Sequence, residues 1–211
     1  MAIQVQGNGG TVQEVDATFR SARVSIRPQE VINWESQGGV SGALTAVAAA
    51  GPVYSFRNTG ANLLIVRRVT VGFITTTAFT AAQGLFYNLI KATAFTVSDS
   101  GGTALYTVGA NKHRAAFTNI TSAPDIRIST TGALTAGTRT LEAQPLASVC
   151  GSSTTIGTSM PMSPLFSHDT GDYPLVLAQN EGFIITNGIA MGAVGVINLL
   201  VNVEYAETTA Y

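Results

Sequence analysis

The sequence predicts an all-β protein, an antiparallel β-sandwich. Residues 175–204 carry the strongest pattern, because apolar positions alternate there with mixed polar positions at a period of two. That period is typical of a strand with one buried face. Turn-forming residues around Gly182 and between Gly192 and Gly195 divide the stretch into three strand segments. A chain of 211 residues suits a single domain, since sandwiches of this size are common as undivided units.

The last of these strand segments predicts which side chains are buried. Along residues 196–205, one parity carries only apolar and aromatic side chains, whereas the other mixes apolar residues with Asn and Glu. We expect the first set to face the core and the second to face outwards. The core-facing set is Ile197, Leu199, Val201, Val203 and Tyr205.

The first 28 residues precede the main pattern. Residues 1–18 contain three glycines and no sustained periodicity, so we expect a flexible N-terminal arm or one that a partner orders. Residues 19–28 alternate apolar and polar side chains around Val24 and end at Pro28, which predicts an edge strand. The expected organisation is an arm over residues 1–18 followed by a sandwich domain over residues 19–211.

The next stretches change from small residues to a strong strand pattern. Gly and Ala dominate residues 38–51, where the glycines and Pro52 favour an extended connection over a short helix. Residues 63–73 are largely apolar on both parities, as expected of a strand covered by the core on one face and by a neighbouring element or subunit on the other. Arg67 and Arg68 point to opposite faces, so either one of them meets an acidic partner or both are solvated at a bulge.

The middle of the chain is less regular. Residues 84–97 fit helical spacing or strand parity, and their Thr and aromatic content, followed by a turn at residues 98–102, favours a strand. Residues 126–129 predict a short strand and residues 130–140 a loop. Residues 145–174 are rich in Ser, Thr, Pro and Gly, so we expect a long surface loop, a type of segment that often carries contacts or function.

Charge and hydropathy limit the classes of partner. Charged residues are 11% of the chain, against about a quarter in a typical globular domain, and the mean hydropathy is +0.28. A net charge of −1 favours neither nucleic acid nor a membrane surface, and we expect neither as a partner. No apolar run approaches the roughly 20 residues of a membrane-spanning helix. Cys150 is the single cysteine, which excludes an intrachain disulfide. So low a charge content favours a protein that covers much of its surface against neighbours.

Several short motifs invite an enzymatic interpretation. The triplets that begin at Asp99 and Asp169 match the aspartic-protease pattern, but turn-like residues precede both, and 70 residues between them are too few for two lobes. His113 and His168 are the only histidines, and no nucleophile-elbow pattern accompanies them. His168, Asp169 and Asp172 fit no metal-ligand spacing. We therefore expect no catalytic, cofactor-binding or metal site.

Several segments resemble structural proteins of tailed bacteriophages. The resemblance runs from about residue 20 to residue 207 and is most specific in the motif PLVLAQNEGF at residues 174–183. Further segments that carry it are RVSIRP at 23–28, FTVSDSGG at 95–102, RIS at 127–129, ALTAGTRTLEAQPLA at 133–147 and VEYAE at 203–207. The resemblance implies a virion component of the capsid decoration (cement) type with a jelly-roll-like β-sandwich fold, located on the capsid surface and made in the host cytoplasm. It also implies the major capsid protein as partner and a homotrimer as the working form.

Two other interpretations remain open. One is a tail or fibre module that presents the loop at residues 145–174 to a host receptor. The other is a phage protease or glycan hydrolase, for which the sequence offers no convincing pair of acids. The resemblance carries no catalytic motif, so we expect the protein not to be an enzyme.

Overall fold

A computed structural model describes residues 31–113, 115–116, 118–168 and 174–209 of the chain. The expected arm at residues 1–18 and the expected edge strand at residues 19–28 lie outside this range and stay predictions. The described residues form strands and no helix, which confirms the predicted all-β class. The strands are β1 (Val31–Val40), β2 (Pro52–Arg57), β3 (Leu63–Thr77), β4 (Gln83–Val97), β5 (Thr103–Ala104), β6 (Asp125–Ile128), β7 (Thr138–Leu141), β8 (Ala147–Ser153), β9 (Ser159–Ser167), β10 (Leu175–Leu177), β11 (Gly182–Asn187) and β12 (Val196–Thr208).

The first sheet is built around β12. It has the order β1-β12-β3-β10, and β9 pairs with β3 beyond the short β10. All of these pairings are antiparallel, and β12 pairs with β3 from Val196 to Thr208. The chain's last regular segment is thus an inner strand of its sheet, paired with β1 on one side and β3 on the other.

The second sheet is built around β11. It has the order β5-β6-β2-β11-β4-β7, and β8 also pairs with β4. Every residue of β11 is buried. Its motif Phe183-Ile184-Ile185 is apolar on both faces because the core covers one face and the chain's own irregular segments cover the other. The three strand segments predicted between residues 175 and 204 are therefore confirmed as β10, β11 and β12, although they divide between two sheets.

The two sheets pack face to face around one apolar core. All five side chains that the parity of β12 assigns to the core are 0–1% exposed. The Phe56 and Phe183 rings stack with centroids 5.1 Å apart, and Tyr205 of the opposite sheet meets Phe56 edge-on at 5.1 Å. Aromatic pairs of these geometries add about 1 kcal/mol each to the hydrophobic term. The core is thus tied together across the sheets, and the predicted sandwich is confirmed.

The expected long loop at residues 145–174 is wrong as a description of that segment, because it contains β8 and β9. β8 extends the second sheet beside β4, and β9 extends the first sheet beside β3. The two prolines within β9 obscured this in the sequence. They are tolerated because β9 has two register shifts against β3, where ladder hydrogen bonds are already interrupted.

Two smaller expectations also change. The predicted connection at residues 38–51 begins later, because β1 extends to Val40. Residues 41–51 form no helix, as expected, but they are not extended throughout, since they contain a bend and a turn. The predicted loop at residues 130–140 ends earlier, because β7 begins at Thr138. Strand β4 confirms the strand interpretation of residues 84–97. Arg68 lies 3.8 Å from Glu204 on β12, so one of the two neighbouring arginines does meet an acidic partner.

The connection between β6 and β7, which we call the strap (residues 129–137), covers the outer face of the second sheet. It must cross β2, β11 and β4, because these strands lie between β6 and β7 in the sheet order and the inner face is filled by the core. The Leu134 N–H donates to the Pro52 carbonyl at 2.7 Å, and the Gly137 N–H donates to Asp99 Oδ1 at 2.8 Å. The strap thus gives this sheet a covering layer from within the chain.

Candidate interaction surface

Charged residues are excluded from four long stretches of the chain. Residues 36–56, 69–90, 143–167 and 182–203 contain no Asp, Glu, Lys, Arg or His. At the usual frequency of charged residues, each stretch of this length would hold about five. Low charge is therefore concentrated in particular segments, and the fold decides where those segments meet.

The four stretches meet at one end of the sandwich. Each contains one connection that crosses from one sheet to the other: β1 to β2, β3 to β4, β8 to β9, and β11 to β12. The strand registers place these connections together, because Gln83 of β4 pairs with Ser153 of β8, and Ile74 of β3 pairs with Ser159 of β9. We call this end, formed by residues 41–51, 78–82, 154–158 and 188–195, the uncharged end.

Large apolar side chains are exposed at the uncharged end. Ile156 is 70% exposed, Val194 57% and Ile189 45%. Exposed alanines surround them, in particular Ala48, Ala49, Ala50, Ala81, Ala82, Ala190 and Ala193. Single exposed apolar residues are ordinary on protein surfaces, whereas a contiguous uncharged region that carries several of them is typical of an interaction site.

Hydrogen bonds between the loops hold the uncharged end in one shape. The Thr45 hydroxyl donates to the Ala193 carbonyl at 3.2 Å, and the Met191 N–H donates to the Val47 carbonyl at 2.9 Å, which joins residues 41–51 to residues 188–195. Gln83 joins the second connection to the last, because its Oε1 accepts from the Gly192 N–H at 2.9 Å. These bonds make the loops one preformed surface.

The remaining connection, at residues 154–158, is tied to β3. The Thr75 N–H donates to the Thr158 carbonyl at 2.9 Å, and the Thr75 and Ser153 hydroxyls lie 2.5 Å apart in the buried interior. Beside it, the Phe79 N–H donates to the Thr154 carbonyl at 3.2 Å. Binding to a surface of this kind loses little conformational entropy, since the loops are already ordered.

Backbone strain is also present at the uncharged end. Ala46 and Ala50 have positive φ angles of 51° and 61°, a left-handed conformation that costs a residue with a Cβ atom about 1 kcal/mol. A hydrogen bond of 2.7 Å from the Ala50 N–H to the Asn187 carbonyl holds the second of these residues in place. The loop shape is therefore imposed by its neighbours.

Charged residues of the described range lie away from the uncharged end of the sandwich. Arg68 pairs in register with Glu204, and Arg57 pairs with Gly182 and Asp125. Each of these residue pairs is several positions along its strands from the uncharged end. Many of these charges serve structure. The Glu207 carboxylate accepts hydrogen bonds from the Thr121 and Ser122 N–H groups, the Thr121 hydroxyl and the Asn62 side chain, at 2.7–3.0 Å. Burial alone would raise the pKa of Glu207, but these hydrogen bonds outweigh it and lower the pKa.

The aspartate considered for protease chemistry has a structural role. Asp99 is 1% exposed, forms an ion pair with Arg139 and accepts a hydrogen bond from the strap at Gly137. The Arg139 and Arg57 guanidinium groups lie over the Phe95 ring, 5.2 Å and 6.0 Å from its centroid. An aspartate bonded in this way is closed to substrate. Asp169, its proposed partner, lies outside the described residues.

The remaining chemically active residues are dispersed. His113 is within 2.7 Å of the Ser36 hydroxyl, and His168 donates its backbone N–H to the Arg67 carbonyl. The Cys150 thiol is exposed on β8. Within the described range of the chain, no three His, Cys, Asp or Glu side chains come close enough to hold a metal ion. A search of the same residues for a helix long and apolar enough to cross a membrane finds none.

The uncharged end was not predicted from the sequence. Its signal was present as the four charge-free stretches, but nothing in the order of the chain shows that they converge. No protein-family model matches the chain, and no curated protein matches it.

Proposed function

We propose that the protein is a structural component of a tailed-phage virion, a decoration protein that binds the outer surface of the capsid. The observation that carries the proposal is the preformed uncharged end, a surface suited to contact between protein subunits, as a component of a multi-subunit assembly requires. The resemblance of residues 174–183 to tailed-phage structural proteins directs it towards the virion. The jelly-roll-like connectivity of such proteins is part of the same proposal.

The proposed mechanism is the burial of surface between neighbours. A decoration protein stabilises a capsid by bridging subunits of the major capsid protein, so that several modest interfaces act together. A charge content of 11% suits this role, because surface that is covered in the particle does not need charge for solubility. In this proposal the working form is a homotrimer.

Copy number in purified particles tests the proposal. A decoration protein should be present in hundreds of copies per virion, measured by quantitative mass spectrometry with the major capsid protein as internal standard. A handful of copies would overturn the decoration role in favour of a tail or fibre module. Absence from particles would overturn the virion assignment and reopen the enzymatic interpretation.

Particle stability gives a second test. Particles that lack the protein should release their DNA at lower temperature or lower osmotic stress than complete particles, and added purified protein should restore the difference. A matched sample with added serum albumin controls for nonspecific protein effects. Equal stability with and without the protein would contradict the capsid-stabilising mechanism.

A further inference from the structure

We propose that the uncharged end binds the uncharged ends of other copies of this chain, so that the protein forms a closed oligomer with these loops around its symmetry axis. The partner is therefore a second copy of the chain and not a different protein. The proposed function already includes a homotrimer, and this inference goes beyond it by assigning the surface through which copies of the chain meet. It does not rest on the virion role, because self-association is a property of the purified chain.

The first argument is electrostatic self-complementarity. Around a symmetry axis, each surface meets an identical surface, so that a charged side chain near the axis faces its own copy and is repelled. A surface that meets itself is favoured when it carries no charge. The four connections satisfy this condition over their whole length, and so do the strand ends next to them.

The second argument concerns the alternative partner. Interfaces between different proteins commonly use charges of opposite sign, which speed encounter and reject wrong partners. A heterologous partner would therefore allow, and even favour, charged groups on this surface. Four separate stretches without any charge are the pattern expected from symmetric contact.

The third argument is shape. Alanines at positions such as Ala49, Ala81 and Ala193 keep the loop tips short, so that the backbones of two copies can approach closely. Ile156 and Val194 project from the same surface as apolar contacts. Because hydrogen bonds between the loops hold this shape before association, little order has to be gained on binding.

Val194 offers a direct test, because it is 57% exposed and a charged replacement can remain solvated in the monomer. Val194→Glu and Val194→Lys are made separately, and mass photometry and sedimentation velocity measure their oligomeric state. Each variant should shift the purified protein from oligomer to monomer. An equimolar mixture of the two should recover oligomers that contain both, because Glu on one copy then meets Lys on another.

Val108 supplies the matched control. It is 62% exposed, and it lies in the loop beside β1, next to the Ala110 carbonyl that accepts from the Gln37 side chain. Val108→Glu and Val108→Lys should leave the oligomer intact. Circular dichroism checks that all four variants are folded, and Ile156→Glu with Ile156→Lys replaces the test pair if Val194 variants are not.

Three results would overturn the proposal. The first is that the wild-type protein is found to be monomeric at a chain concentration of about 100 μM, which saturates even micromolar affinity. The second is that the Val194 and Ile156 variants prove as oligomeric as the wild type, which would place the interface elsewhere. The third is that the Glu and Lys variants are each monomeric but form no mixed oligomer, which would show that this end meets a different surface. All of these measurements use purified protein, so they are independent of the copy number in particles.

Discussion

The backbone N–H of Thr121 donates to Glu207 Oε2 at 2.7 Å and thereby ties a long irregular loop to the last strand of the first sheet. The same carboxylate accepts three more hydrogen bonds, and Glu207 is fully buried. A single side chain therefore holds the segment that covers one edge of the core.

Glu207→Gln tests this arrangement. Glutamine has one acceptor oxygen and presents an NH₂ group to donors, so it leaves at least one buried N–H unsatisfied and costs about 3 kcal/mol in the free energy of unfolding. Chemical denaturation at pH 7 measures the loss. Thr209→Ser, an exposed change next to the strand end, serves as control and should be neutral.

The lowered pKa of Glu207 also predicts a pH dependence. A carboxyl whose pKa is lower in the folded state contributes stability above its unfolded value of 4.5, and this stability is lost as the pH falls through the folded pKa. The stability difference between wild type and Glu207→Gln should therefore be constant near neutrality and shrink below about pH 4.5. A difference that grows on acidification would contradict the hydrogen-bonded carboxylate.

The stability that Glu35 contributes should depend on pH in the opposite direction to that of Glu207. Burial raises its pKa, although hydrogen bonds from Ile120, Tyr205 and Gln37 and the charge of Lys112 act against the shift. A carboxyl with a raised pKa contributes stability below its unfolded value of 4.5, which is lost as the pH rises through the folded pKa. The free energy of unfolding of Glu35→Gln, relative to that of the wild type, should thus be higher at pH 7 than at pH 4.5, because only the wild type loses stability as the pH rises. Equal differences at both pH values would show that burial does not dominate.

The register of β12 is tested by neighbouring substitutions. Val201 is 1% exposed and faces the core, so Val201→Asp buries a carboxylate without a partner and should prevent folding through a cost of several kcal/mol. Asn202 is half-buried on the opposite face, and Asn202→Asp should fold. Soluble yield and circular dichroism distinguish the two. Similar behaviour of both variants would contradict the register.

Removing one partner of the ion pair between Asp99 and Arg139 should destabilise the fold more than removing both partners. Asp99→Asn leaves a guanidinium that is 5% exposed with weakened partners and should cost about 3–5 kcal/mol. The double variant Asp99→Leu/Arg139→Met removes both charges and should recover much of that loss. A double-mutant cycle of Asp99→Leu, Arg139→Met and the double variant, unfolded in urea, measures the coupling. Additive effects would show that the pair does not act as a unit.

Two glycines of the strap form a matched pair. A Cβ atom on Gly137 would clash with the Val97 carbonyl oxygen, whereas one on Gly132 meets nothing within 4 Å. Gly137→Ala should therefore displace the strap and lower the melting temperature by about 10 °C or more, and Gly132→Ala should change it little. Differential scanning calorimetry compares them. A neutral Gly137→Ala would show that the strap does not pack closely on β4.

The alternating segments were predictable because burial of one strand face imposes a period of two on the residues themselves. This is why the core-facing side chains of β12 follow from parity alone. Phe95 shows where parity stops being sufficient. A register shift between Thr93 and Val97, with Ala94 at a positive φ of 48°, turns Phe95 away from the parity of Tyr87 and Leu89 to the outer face beneath Arg139. Bulges of this kind depend on the partner strand and leave no local signature.

By itself, the sequence determined the all-β class, the strands with strong alternation, the inward set of β12 and the scarcity of charge. These are local or compositional properties, which each segment expresses without reference to the rest of the chain. Only the tertiary structure decided that residues 145–174 contain two strands, because β8 and β9 are stabilised by pairing with β4 and β3. Only the tertiary structure brought four charge-free stretches to one end, since sheet order and strand direction arise from packing between segments far apart in the chain.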